Sequence, residues 1–283
     1  MAARMWVWSK RSALRQEDLW EERFHGNQNA VITRLRSGKF LRVDLYCEEE
    51  GEALELVEQF GGVVRSLTEV DWVAESAKPL PPLKIRDCLL VTSETNVARL
   101  HELQENSEGR TVVIIPAEMA FGTGDHATTS SCLRFLADEA RRRRGEGWSM
   151  LDLGCGTGVL AIAASLLGAN ECEAMDIDPT AVSVARRNVE RNNAPGVLVL
   201  CADLDDWIPG TSYDVVVANL FAAVLQRSFE KIGEALKAGG ILILSGILQD
   251  QWDDTEKAAQ AAGLAFEVVH RRGKWIAAKG GFA

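Results

Sequence analysis

The apolar positions of this chain follow two rhythms. In the second part, short continuous apolar runs alternate with stretches whose apolar residues recur at helical spacing. Leu151–Leu153 runs into a glycine turn and a helix over Val159–Leu167, closed by Gly168. A strand ending at Asp176 precedes Asp178-Pro179, an N-cap and first-turn proline that open a helix through Ala185 and Val189, fraying at Asn192-Asn193. Val197–Ala202 and Tyr213–Ala218 read as buried strands ending at Asp203 and Asn219; a further helix is expected to stop at Gly239-Gly240, before a strand over Ile241–Leu244. Strands and helices alternating in this way build a parallel sheet covered on both faces, an α/β, Rossmann-like doubly wound sheet.

The first part differs. A strand over Trp6–Ser9, a helix over Glu17–Phe24, strands Val31–Leu35 and Phe40–Cys47 around a Ser37-Gly38 turn, a helix over Glu49–Phe60 stopped by Gly61-Gly62, and a strand over Val63–Leu67 give a β-α-β-β-α-β order. That order predicts a small ferredoxin-like α+β domain. Lys78-Pro79-Leu80-Pro81-Pro82 reads as a stiff connector. The expected organisation is therefore a domain over 1–77, a linker region over 78–110 and a second domain over 111–283.

Candidate chemistry concentrates at the carboxyl ends of the second set of strands, where ligands bind in such sheets. Leu153-Gly154-Cys155-Gly156-Thr157-Gly158 is a turn whose glycines allow a tight bend and close approach of backbone to a ligand. Asp176, at the next strand's end, is suited to grip a ribose diol. The spacing is G-x-G-x-G, not the G-x-G-x-x-G of dinucleotide binders, which points from NAD toward S-adenosylmethionine. Gly154, Gly156, Asp176, Asp203 and Asn219 are the candidates. Phe121-Gly122-Thr123-Gly124-Asp125-His126-Ala127-Thr128-Thr129 adds a donor-rich strap at a helix start, where the threonines either cap the backbone or bind a carboxylate. His126 reads as a structural hydrogen-bonding residue, and Arg141–Arg144 as a solvated helix end.

Composition narrows the class. The 283 residues are 47% hydrophobic, enough for one large core and one smaller one. No stretch is long and apolar enough to span a bilayer, and the amino terminus lacks a secretory apolar core, so the cytoplasm is the expected location. Six cysteines without a C-x-x-C pair and four scattered histidines show no metal-ligand spacing. The formal net charge of −10 argues against broad contact with nucleic-acid phosphates. It suits a basic protein partner, or solubility alone. Oligomeric state is left open.

The strap, the Asp152-x-Gly154-Cys155-Gly156-x-Gly158 turn, Asp176-Ile177-Asp178-Pro179 and Ala218-Asn219-Leu220 occur in an order that resembles the PrmA-type methyltransferases, which act on ribosomal protein L-eleven. The likeness runs from about Pro79 to the end, with the same order of elements in the small domain. It implies a class I methyltransferase fold, S-adenosyl-L-methionine as donor, and N-methylation of lysine or the amino-terminal amine of that protein, with the small domain for substrate recognition. It also implies that Thr129 binds the donor's methionine end, Gly154 permits close approach, Asp176 accepts from the ribose and Asn219 lies near the methyl, with Phe121 and Gly156 in the same site. Ala127 and Ala117-Glu118 depart from the family's usual proline and proline-glycine. Other readings are a methyltransferase for another protein, a small molecule or nucleic acid, a non-catalytic docking module that keeps the fold, and a nicotinamide oxidoreductase. The residues Asn219-Leu220-Phe221-Ala222 lack the Asn-Pro-Pro-Tyr-type motif of base methylation.

Overall fold

In the computed structural model the described residues are all except 1–4, 25, 26, 28, 36–38, 48, 68–80, 117–125 and 195. Phe121, the strap glycines, the Ser37-Gly38 turn, Ala117-Glu118 and the start of the proline-rich connector lie outside them. The chain divides into two units, Met1–Lys78 and Pro79–Ala283.

The first unit is built from β1 (Met5–Ala13), α1 (Glu17–Arg23), β2 (Ala30–Arg34), β3 (Phe40–Cys47), α2 (Glu50–Phe60) and β4 (Val63–Leu67). Its antiparallel sheet runs β2-β3-β1-β4, the interleaved arrangement of a ferredoxin-like fold. Alternation along β1 and β3 sends Trp8, Leu41, Val43 and Leu45 to a buried face, where Trp20 and Ala53 join them. Both indoles in this core keep their N–H satisfied, Trp8 donating to the Gly61 carbonyl at 2.8 Å and Trp20 to Ser12 Oγ at 2.8 Å. Burying them unpaired would cost free energy.

The second unit holds a seven-stranded sheet, β10-β9-β8-β11-β12-β14-β13. The strands are β8 (Ser149–Leu153), β9 (Glu171–Asp176), β10 (Val197–Cys201), β11 (Tyr213–Asn219), β12 (Leu236–Leu248), β13 (Leu264–Arg272) and β14 (Trp275–Phe282). The first five are mutually parallel, and β14 runs antiparallel to both neighbours. Central β8 is buried at all five positions, as a strand covered on both faces must be. Residues 79–115, read from sequence largely as linker, carry β5 (Leu83–Ile85), β6 (Leu89–Thr92), α3 (Val97–Glu105) and β7 (Thr111–Ile114), a three-stranded sheet within the second unit. Ile85, Leu89, Val91 and Val113 pack into the large core, so this segment has apolar area to bury and folds rather than spans.

Helices α4 (Ala127–Arg142), α5 (Val159–Leu166), α6 (Pro179–Arg191), α7 (Ala222–Glu234) and α8 (Trp252–Ala261) complete the unit. Asp178 caps α6 by accepting from Thr180 N at 2.8 Å, with Pro179 in the first turn. Helix α7 ends at Glu234, not at Gly239-Gly240 as expected. Leu236 already pairs with Tyr213, and Gly239, at φ +74°, sits inside β12 where an irregularity takes up the extra residues. The glycines mark a strand irregularity, not a helix stop. No helix among the described residues is long and apolar enough to cross a membrane.

Candidate functional site

Register alone gathers the candidate residues. Leu153 pairs with Met175 and with Ala218, Cys201 with Asp176, and Asn219 with Ser245. One step beyond Leu153 therefore lies level with Asp176 and Asn219, so Gly154, Asp176, Asn219 and Ser245 form a row across four parallel strands, with Asp203 two residues beyond β10. This edge is where an open α/β sheet binds ligands, at the point where the connections from β8 and β11 leave in opposite directions.

The turn after β8 needs its glycines. Gly154, Gly156 and Gly158 have φ of +72°, +54° and +78°, left-handed conformations that residues with a Cβ rarely adopt. Gly154 N and Cys155 N both donate to the Met175 carbonyl at 2.9 Å, tying the turn to β9. Asp176 completes the tie: Oδ2 accepts from Gly156 N at 2.8 Å and Oδ1 from Asp178 N at 3.0 Å. A carboxylate has about four acceptor positions, so two remain for a ligand. Beneath the turn Asp152 is wholly buried, and neither of its oxygens has a hydrogen-bond partner of good geometry among the described residues. Burial pushes its carboxyl up to about 7, with Asp176 adding to the effect and the Ala161 N–H opposing it.

A cavity of about 490 Å3 opens here, within the range of roughly 300–1,000 Å3 for small-ligand sites. Gly154, Gly156, Asp176, Asp203 and Asn219 all line it. Leu153, Met175, Ile177, Leu204, Leu220 and Val224 make the apolar wall. The loop bearing Asp203 is pinned to α7, since Arg227 binds Asp205 through two contacts at 2.8 and 3.1 Å and Lys231 donates to the Leu204 carbonyl at 3.0 Å. Asp203 Oδ1 accepts from Asp205 N at 2.8 Å, which fixes the turn.

The amino end of α4 supplies the remaining wall. His126 is its N-cap, Nδ1 facing Thr128 N at 3.4 Å and Thr128 Oγ1 at 2.7 Å, so the imidazole, and neither threonine, caps this helix. His126 and Thr128 both line the cavity. Thr129 does not; it is 1% exposed and accepts from Asn219 Nδ2 at 3.4 Å. Trp275 lies edge-on to the His126 ring, 5.3 Å between centroids, and joins the cavity wall with Gly246 and Phe221. These residues were missed from sequence. Trp275 and Gly246 come from β14 and β12, far from any motif, and nothing in the local pattern marks them. The asparagine-containing motif pointed to Asn219 but not to its neighbours Leu220 and Phe221.

One family matches this chain along nearly its whole length. The sequence profile described as Ribosomal protein L11 methyltransferase (PrmA) matches residues 9–281. The chain belongs to this family. A relative named ribosomal protein L11 methyltransferase from Dechloromonas aromatica (strain RCB) is 36% identical over 238 residues, 84% of this chain and 75% of the relative. Another of that name from Streptococcus pneumoniae (strain 70585) is 38% identical over 215 residues, 75% of this chain and 64% of the relative. Among solved structures, the ribosomal protein L11 methylase from Lactobacillus delbrueckii subsp. bulgaricus shares the fold, with TM-score 0.59 and 24% identity over 72% of this chain and 99% of that one.

Proposed function

We propose that the chain is an S-adenosylmethionine-dependent protein N-methyltransferase acting on lysine side chains or the amino-terminal amine of ribosomal protein L11, in the cytoplasm. Membership of the family carries the reaction and the substrate, and the cavity at the strand ends supports the donor. Three features fit that donor. The left-handed Gly154 and Gly156 line the cavity, the spare acceptor positions of Asp176 suit a ribose diol, and the apolar wall with Asp203 suits a purine.

Bound there, S-adenosylmethionine supplies an electrophilic methyl group on a sulfonium. The residues then have to present a neutral amine in line with it. A free lysine has a pKa of about 10.4, so it must give up a proton before it attacks, either because the apolar walls disfavour the charged form or because water carries the proton away. Asn219 donates its amide N–H toward Thr129, which turns its Oδ1 to the amine as an acceptor. Oδ1 and the adjacent backbone carbonyl of Leu220 accept from the amine and aim its lone pair at the methyl. Thr129 acts through Asn219, while His126 and Thr128 face the cavity beside it. Positioning of this kind supplies most of what an in-line displacement requires.

The test is incubation with isotopically labelled S-adenosylmethionine and total ribosomal proteins, followed by mass spectrometry. Label on ribosomal protein L11 is the expected result, and absence of label from every band removes the proposal. Asn219→Ala should lower kcat by about 100-fold while leaving donor affinity within a few-fold; equal loss in both would assign Asn219 to donor binding instead.

A further inference from the structure

Leu220 is wedged between two glycines on the strands that flank β11. On one side its side chain lies on the Cα of Gly154, where a Cβ would overlap Cδ2 and come within 3.3 Å of Cγ. On the other its backbone lies on Gly246, where a Cβ would overlap the carbonyl group, 2.8 Å from its carbon and 3.0 Å from the Leu220 nitrogen. Gly246 has φ +86° and sits in a bulge. Between Leu244 and Ile247 strand β12 advances three residues while its partner β14 advances two. The bulge is held from within. Ser245, fully buried, donates its hydroxyl to the Ile276 carbonyl at 2.8 Å, and its own carbonyl accepts from Leu220 N at 3.1 Å. A bulge that re-aims backbone beside a site is a device of position, not a packing fault.

We propose that Gly246 is a positioning residue for methyl transfer: the bulge at Ser245-Gly246 seats the Asn219-Leu220 backbone against the glycine turn, aligning the acceptor amine with the donor. This rests on the function proposed above. Leu220 joins the two halves of the site, its side chain packed on the glycine turn and its backbone, which carries the amine-accepting carbonyl, packed on Gly246. A methyl group at 246 has backbone, not a flexible side-chain end, as its neighbour, so the Asn219-Leu220 segment must move. A displacement near 1 Å in a reacting pair can cost about 100-fold in rate.

Gly246→Ala also carries the strain of its positive φ, so a control must carry that strain without the contact. Gly239 supplies it on the same strand, at φ +74° with no atom within 4 Å of the point an alanine methyl would occupy. Both variants should lose thermal stability, Gly246→Ala the more, because its methyl also meets the Leu220 backbone. With ribosomal protein L11 as substrate, Gly246→Ala should lose at least tenfold in kcat, with donor affinity by calorimetry within threefold of wild type. Gly239→Ala should keep wild-type kcat. Unchanged kcat in Gly246→Ala, equal losses in both variants, or a parallel loss of donor affinity in Gly246→Ala would each overturn the positioning role. Failure of the wild-type chain to transfer any methyl would instead sink the functional reading beneath it.

Discussion

Asp152 shows how one residue in a glycine motif is set by burial as much as by ligand. It is wholly enclosed under the turn, faced by Asp176 and by the thiols of Cys132, Cys155 and Cys172. Burial pushes all three thiols up, so they stay neutral through the physiological range. The carboxyl, pushed up to about 7 from an ordinary value of 3.8, holds a proton in the folded protein that it releases on unfolding at intermediate pH. Stability therefore falls as pH rises from about 4, and the loss is complete once pH passes about 7. Asp152→Asn removes the titrating group at nearly constant volume. Its melting temperature relative to wild type should be close to equal at pH 4.5 and higher by about 3–10 °C at pH 8. Thermal scans across that range check it, and a difference independent of pH would mean that this carboxyl does not titrate as described.

At the scale of elements, the small sheet of β5, β6 and β7 is fastened to the end of α6 by a side chain imitating a strand. Asn192, the C-cap of α6, accepts from Ile114 N at 2.7 Å and donates to the Ile114 carbonyl at 2.8 Å. Ile114 is the last residue of β7. Asn192→Ala leaves both backbone groups without these partners, at about 1–3 kcal/mol, a fall in melting temperature of roughly 2–10 °C. Chemical denaturation should give a lower midpoint with an unchanged slope, and a wild-type midpoint would show that water replaces the amide without loss. None of this was legible in the sequence, where Asn192-Asn193 read only as a fraying helix end. The central strands β8 and β11 were legible, because strands buried on both faces write themselves as continuous apolar runs between glycine and acidic ends. Gly154, Asp176 and Asn219 could be read with them, since strand-end positions follow once the strands are found. The β5–β7 segment was not, because strands of three and four residues are too short to show a period. Nor was Trp275, whose place beside His126 depends on the antiparallel return of β14, a pairing that no local pattern announces.

Both units of the molecule carry an excess of acidic groups, which bears on how a basic substrate would find the site. Up to Lys78 there are 11 lysines and arginines against 14 aspartates and glutamates, and from Pro79 onward 20 against 27. The greater excess thus belongs to the unit that holds the cavity. At the cavity itself Asp176 and Asp203 face inward, and the one cationic side chain on its wall among the described residues, Arg227, is already engaged by Asp205. That field attracts a lysine-rich protein from beyond contact distance and adds little once it is docked, because exposed charges are screened over about 10 Å at 0.1 M salt. The two stages separate kinetically. Raising sodium chloride from about 20 to about 500 mM should lower kcat/KM for ribosomal protein L11 by about 3–30-fold through slower encounter, while kcat at saturation changes less than about twofold. A fall in kcat of the same size would place the salt effect in the aligned complex, at Asn219 or the walls around it. A flat kcat/KM would reduce the net charge to a solubility device, leaving recognition to shape and to the small amino-terminal unit.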